Sequence, residues 1–311
     1  MKENSMYEMK ACGALIKRNV HMFFKDKGTF FTSLITPIIL LVLYATFLYN
    51  VYEDSFASAF PPGTPIDEEL LSGLVGGLLL ASLLAVSGVT VPFCANLFMV
   101  QDKVTGSRND FSITPIKPHS IAISYYFATV INGLIVCFVA LGAGLIYLAC
   151  IGWYLSLADV GLLFLDVVLL VLFGTALSSV ICYPLQSQGA MSAVGTIVSA
   201  GYGFICGAYM PLSQFSVGLR NALGFLPGTY ATSLIKTHAL QGVCEEFTAQ
   251  GFPVEAVKEI KDVADCNLYF FGNAVQPWVS YAVLIGAIVL LVGAFVLMNI
   301  LSARTKTKRE K

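Results

Sequence analysis

The chain has 311 residues, of which 57% are hydrophobic and only 12% are charged, and its mean hydropathy is +0.77. A soluble domain carries about a quarter charged residues, so this composition excludes an ordinary soluble protein and indicates an integral membrane protein. The formal net charge is -1, and we expect no nucleic-acid partner. This near-neutral total conceals a strong segregation of charge along the chain.

Six apolar runs are long enough to cross a bilayer, since a helix needs about 20 mostly apolar residues to do so. They are residues 30–52, 70–99, 121–151, 160–184, 191–210 and 278–301. The first run is too long, and begins too far from the N-terminus, for a cleaved signal peptide. We therefore predict an all-α integral membrane protein with six transmembrane helices.

Charge is distributed unevenly between the connections. Lys and Arg concentrate in residues 1–29, in the connection after the second run and in the basic tail 302–311, whereas the connection 53–69 contains acidic residues and no Lys or Arg. Basic residues mark the cytoplasmic side of a membrane protein. The pattern predicts a multi-pass protein of the cell membrane with both termini cytoplasmic and the acidic connections outside.

Residues 1–29 have the periodicity of an amphipathic helix. Apolar side chains recur every three or four positions, at Met9, Cys12, Ile16, Val20 and Phe23. This pattern favours a helix in the cytoplasmic interface with its cationic side toward anionic headgroups. The alternative is a helix packed on another cytoplasmic element.

The fifth run contains a stripe of small residues. Gly195, Ser199, Gly203 and Gly207 recur every four positions, which places them on one face of a helix. Such a stripe allows another helix to approach closely. The pattern favours packing within the subunit and leaves open a dimer seam or a wall of a transport path.

Residues 213–277 predict an external element before the last span. The dipeptide Pro227-Gly228 divides an apolar stretch into two halves of about a dozen residues, the length of re-entrant helices. A polar, acidic cap follows, with a helix expected over residues 253–263. Cys244 and Cys266 lie in this cap, and the sequence leaves open whether they form a disulfide or stay free thiols.

The sequence contains little that indicates catalysis. Asp166 is the clear charged residue within a span, and we expect it to reach the headgroups from near the outer end. There is no P-loop, HExxH or GxSxG motif, and the three histidines are too far apart in sequence to suggest a metal site. We therefore predict no catalytic residues, no cofactor, no metal and no enzymatic activity in this chain.

Three motifs together resemble the permease subunit of an ABC-2 type transporter: the amphipathic helix before the first span, the connection "GSRNDFSITPIKPHSI" and the split "FLPGTY" element. The resemblance implies a coupling helix at about 106–113 that docks on a P-loop ATPase subunit, with residues 1–29 as a second contact. The implied ATPase-coupling residues are Arg108, Asn109, Asp110, Phe111, Ile113, Lys17 and Arg18. Pro227, Gly228 and Tyr230 correspond to an external gate, and ATP and Mg are expected on the partner subunit.

The predicted organisation is thus a connecting helix (1–29), a six-span domain (30–301) and a tail (302–311). The resemblance implies a permease subunit of an ATP-driven exporter that moves a drug-like, peptide or lipid molecule outward. Membrane lipid and a second permease, identical or related, are the other expected partners. Two alternatives remain, a secondary carrier or channel without an ATPase and a membrane scaffold that transports nothing. The few charged residues within the spans argue against an ion-coupled carrier.

Overall fold

The chain folds almost entirely into helices, which confirms the all-α prediction. The structure is a computed structural model and describes residues 2–57, 67–107, 110, 114 and 116–309. The helices are α1 (Lys2–Lys25), α2 (Lys27–Leu43), a π-helical turn (Tyr44–Leu48), α3 (Tyr49–Ala57), α4 (Glu68–Val104), α5 (Pro118–Ile151), α6 (Leu157–Cys182), α7 (Gln188–Ile205), a 3-10 turn (Leu212–Gln214), α8 (Val217–Leu223), α9 (Pro227–Ala249), α10 (Val254–Val263) and α11 (Pro277–Arg309). A two-residue hairpin, β1 (Tyr269–Phe270) with β2 (Asn273–Ala274), precedes α11.

Helix α4 forms the centre of the bundle. In its most apolar window 89% of the residues are buried, against 11% in α11. Helices α2, α5, α6, α7 and α9 all pack on it. Glycines permit the closest approaches: a Cβ at Gly174 of α6 would collide with the Gly88 carbonyl oxygen of α4.

Five helical segments of the described chain are long and apolar enough to cross a membrane: 27–46, 68–104, 118–151, 157–182 and 277–301. They correspond to the first four predicted spans and the sixth. Helix α7, the predicted fifth span, is only 18 residues long. Its glycines, serines and Tyr202 make it less apolar than the others, so a membrane crossing by α7 stays a prediction.

The first span differs from the prediction in its detail. Helix α2 begins at Lys27, where the carboxylate of Asp26 accepts a hydrogen bond from the Thr29 backbone N–H. It then continues through the π-helical turn into α3. A π-helical turn carries one residue more than an α-helical turn, and such turns often occur at functional sites.

The element before the last span differs most from the prediction. The break at Pro227 is present, but the two halves are unequal, since α8 has 7 residues and α9 has 23. Helix α9 continues past Cys244 into the stretch predicted as a polar cap. It is longer than expected because its apolar side chains pack on α4, α6 and α11. The cap helix expected near 253–263 is confirmed as α10.

Helix α1 packs against α5 and α4 rather than standing apart from the bundle. Its buried residues include Leu15, Asn19 and Phe23, whereas Met9 is 67% exposed. The predicted apolar face is therefore wrong at Met9. The buried face of α1 is rotated from the predicted one toward Leu15 and Asn19, because the surface that α1 covers includes polar groups of α4.

The contact between α4 and α6 gives a testable prediction. We expect Gly174→Ala to lower the stability by about 1–3 kcal/mol, the usual cost of overpacking, although alanine is the better helix former. Thermal unfolding in detergent measures this.

Gly161→Ala is the matched control in the same helix, since a Cβ there would meet nothing within 4 Å. Equal melting temperatures for the two variants would contradict the close packing of α4 and α6.

Candidate functional site

A buried carboxylate joins three helices at the end of the bundle that carries α1, here called the basic end. Asp102, in the last turn of α4, accepts hydrogen bonds from Arg18 Nη1 at 2.7 Å and Nη2 at 3.1 Å. The hydroxyl of Tyr125, in the second turn of α5, donates to the same carboxylate at 2.5 Å. Asp102 is only 4% exposed, so α1, α4 and α5 are held together by one charge-assisted cluster.

The bidentate contact has an electrostatic consequence. The hydrogen bond to Asp102 raises the pKa of the Arg18 guanidinium above its usual value. Arg18 therefore stays charged at every physiological pH. The planar guanidinium matches the two carboxylate oxygens, a geometry that lysine does not reproduce.

Further polar contacts connect the basic end. Lys117, directly before α5, pairs with Glu8 of α1 at 2.7 Å. The Lys103 ammonium donates to the Tyr183 carbonyl oxygen at the end of α6 at 2.5 Å. The connection predicted to hold the coupling helix is thus flanked on both sides by residues bonded to other helices.

Two polar clusters lie in the other half of the bundle, toward the end here called the acidic end because α4 begins there with Asp67, Glu68 and Glu69. In the first cluster, Lys236 of α9 donates to Asp265 at 3.2 Å and to the Gly207 carbonyl oxygen at 2.8 Å. Asp265 also accepts from the Leu212 backbone N–H at 2.8 Å. This buried pair fastens the end of α7 to α9 and to the segment after α10.

The second cluster contains Asp166, which does not reach the headgroup region as expected. Its carboxylate is buried, 2.6 Å from His238 Nδ1 of α9, and accepts a hydrogen bond from the Tyr281 hydroxyl of α11 at 2.7 Å. The expectation is wrong because α9 and α11 cover this turn of α6 and supply polar partners. A buried charge persists where it is paired and hydrogen-bonded.

Comparison with known proteins gives a family match over most of the chain. The model of the ABC-2 type transporter domain matches residues 10–237, which is more than half of the sequence. The chain belongs to the ABC-2 type transporter family. No curated protein matches the sequence. Permeases of this family generally pair with an ATPase subunit, and the apolar helices agree with a membrane component of a transporter.

The residues implied to couple this ABC-2 permease to an ATPase fall into two groups. Arg108, Asn109, Phe111 and Ile113 lie outside the described residues. Asp110 is exposed, as is Lys17 on α1. Arg18 makes an internal pair with Asp102, so its contact with an ATPase stays a prediction.

The small-residue stripe of the permease faces its own subunit. A Cβ at Gly195 would touch Leu97 of α4, and the Ser199 carbonyl oxygen accepts from Thr36 Oγ1 of α2 at 2.9 Å. A Cβ at Gly203 would collide with the Tyr209 ring. Gly207 lies beyond the end of α7 with a φ of +76°, so the predicted continuous helical stripe is wrong at this position.

The predicted external-gate residues lie at the start of α9. Pro227 occupies the first turn, and a Cβ at Gly228 would press on the Tyr202 hydroxyl. Tyr230 is buried against Leu223 and Leu268. These contacts fix the start of α9 against neighbouring segments, and a gating role stays a prediction.

Cys244 and Cys266 are both free and buried in the structure. Burial raises the pKa of Cys244 to about 11 and raises the pKa of Cys266 further above its usual range. Both thiols are therefore protonated at neutral pH.

No group of three His, Cys, Asp or Glu side chains that would hold a metal lies within the described ranges.

The Asp102 cluster predicts that Arg18→Ala detaches α1. We expect a loss of about 1–3 kcal/mol, because a buried carboxylate loses charge-assisted partners, and faster hydrogen exchange along α1. Exchange measured by mass spectrometry reports both effects.

Lys17→Ala is the control, since Lys17 precedes Arg18 but is exposed. Similar exchange along α1 in the two variants would show that the Asp102 cluster does not hold this helix.

The cysteines make a second prediction. Iodoacetamide at neutral pH should label the exposed Cys150 rapidly and leave Cys244 and Cys266 unlabelled until the protein is unfolded, since a protonated buried thiol is a poor nucleophile. Mass spectrometry of the non-reduced protein measures the labelling. If the two thiols became reactive only after a reductant is added to the unfolded chain, they would be bridged.

Proposed function

We propose that this chain is the membrane subunit of an ATP-driven exporter, docked at its basic end on a separate P-loop ATPase that binds ATP and Mg. The observation that carries the proposal is the Asp102 cluster. It bonds α1, the end of α4 and the start of α5 together around the connection that resembles the coupling helix. A displacement of the described residues on either side of that connection would therefore be passed to the central helix.

The basic end has the charge expected of the cytoplasmic side, so both termini would be cytoplasmic in the cell membrane. ATP binding would then act from that side. To drive transport, the ATP-bound ATPase must favour one arrangement of the helices over another. Because α4 contacts α1, α2, α3, α5, α6, α7 and α9, a tilt of α4 would displace helices throughout the subunit.

A second permease subunit, identical or related, would complete the transport path. Helix α7 supports this, since it exposes the small or polar side chains Ser192, Ala193, Thr196 and Ala200 beside the large apolar Ile197 and Phe204. A face that combines small residues with large apolar ones is suited to close contact with another subunit. The predominantly apolar spans favour a drug-like, peptide or lipid substrate.

Co-purification of the tagged chain from its host in a mild detergent tests the proposal. We expect a P-loop ATPase in near one-to-one amount. Arg108→Glu and Phe111→Ala should each weaken its recovery by about tenfold, as expected when a central interface residue is lost, while membrane insertion is unchanged.

Lys306→Glu in the tail is the matched charge control and should retain the ATPase. A folded wild-type protein that recovers no ATPase would overturn the proposal in favour of a carrier, a channel or a scaffold. Normal recovery in all three variants would leave the ATPase partnership standing and refute the coupling role of the 106–113 segment.

A further inference from the structure

A long groove runs along the surface of the bundle between α2, α4 and α5, with a volume of about 920 Å³. It begins at the basic end beside Phe24 and Phe30 and finishes at the acidic end beside Tyr49, Asn50 and Tyr147. The volume lies within the range of ligand pockets, roughly 300–1,000 Å³. This groove is separate from the Asp102 cluster and from the exposed face of α7.

The groove has the length of a membrane lipid's apolar part. The α5 wall of the groove runs from Ile135 to Tyr147, a stretch of helix that corresponds to about 18 Å at 1.5 Å per residue. One leaflet takes up half of the hydrocarbon thickness of about 30 Å, which is about 15 Å. An extended acyl chain of one leaflet therefore fits along the groove.

The lining favours an apolar occupant because most of it is aliphatic or aromatic and several of its polar groups are already paired within the protein. The π-helical turn supplies part of one wall, where the Tyr44 hydroxyl donates to the Val75 carbonyl oxygen at 3.2 Å. Thr46 Oγ1 donates to the Val42 carbonyl oxygen at 2.8 Å. The Tyr49 hydroxyl lies 3.3 Å from Ser72 Oγ. What remains for a ligand is mainly aliphatic side chain and aromatic ring.

Charge distinguishes the two ends of the groove. Lys25 and Lys27 are exposed beside its phenylalanine end, and the intervening Asp26 is occupied as the cap of α2. Glu53 and Asp54 follow Asn50 at the other end. An anionic headgroup is attracted to the first end and repelled from the second.

We infer that this groove binds an anionic phospholipid, with an acyl chain between α2 and α5 and the headgroup phosphate beside Lys25 and Lys27. The complementarity of charge selects an anionic lipid over a zwitterionic one, and it sets the direction in which the lipid lies. Binding there needs no ATPase and no transport, so the site stands independently of the proposed function.

Native mass spectrometry of the full chain, released from detergent in the presence of phosphatidylglycerol or phosphatidylcholine, tests the site. We expect a bound phosphatidylglycerol that phosphatidylcholine at equal concentration does not replace. Lys25→Gln with Lys27→Gln should weaken this binding by about tenfold or more, since each basic residue near an anionic headgroup contributes severalfold. Lys10→Gln, an exposed change on α1, should have no effect.

Filling the groove gives a second, uncharged test. Ala143→Phe should abolish the bound lipid, because Ala143 is exposed and lines the groove. Ala149→Phe changes an exposed residue of the same helix outside the groove and should leave binding intact.

Equal retention of the two lipids, or retention of phosphatidylglycerol by the Ala143→Phe variant, would overturn the proposal. A third result would also overturn it: the wild-type protein binds no lipid but is a dimer, and Ala143→Phe breaks that dimer. The groove would then be covered by a second copy of the chain.

Discussion

The architecture depends on one constraint, that α4 is enclosed by protein along most of its length. A membrane helix is ordinarily solvated by lipid on one side, but here α2, α5, α6, α7 and α9 take up that surface. Enclosure on all sides requires close approach, which Gly88 and Gly174 provide between α4 and α6. Among the surrounding helices, α2 and α5 expose mainly large apolar side chains, as expected of helices that face lipid.

Three buried carboxylates of the bundle each contact a basic side chain. Asp102 pairs with Arg18 at the basic end, and the pairs Lys236–Asp265 and His238–Asp166 lie in the other half of the bundle. Asn96 of α4 adds neutral bonds, since its amide donates to the hydroxyls of Ser178 and Ser179. Such pairing follows from the cost of an isolated charge in hydrocarbon.

Hydropathy alone predicted the helical class and the five long apolar helices, because runs of about 20 or more apolar residues are typical of transmembrane helices. Partners distant in sequence were not predictable. The family resemblance implied that Arg18 contacts another subunit. In the structure Arg18 binds the carboxylate of Asp102, which lies 84 positions away in sequence. Nothing in the local sequence pattern indicated this role for Asp102. His238 and Asp166 are 72 positions apart in sequence, so only the fold brings them together. The length of α9 was not predictable, because the packing of its apolar side chains on other helices extends it past Cys244 into the stretch predicted as a polar cap.

The π-helical turn explains a spacing in the first span that an α-helix alone does not accommodate. Leu40, Tyr44, Leu48, Tyr52 and Phe56 are all buried and lie four residues apart. In an ideal α-helix each such step advances by about 40° around the axis, so Phe56 would lie on nearly the opposite side from Leu40. The wider turn slows this rotation, and the buried residues of α2 and α3 can follow the same neighbour. The local winding of this helix thus determines which of its aromatic residues belong to the interior and which meet the bilayer.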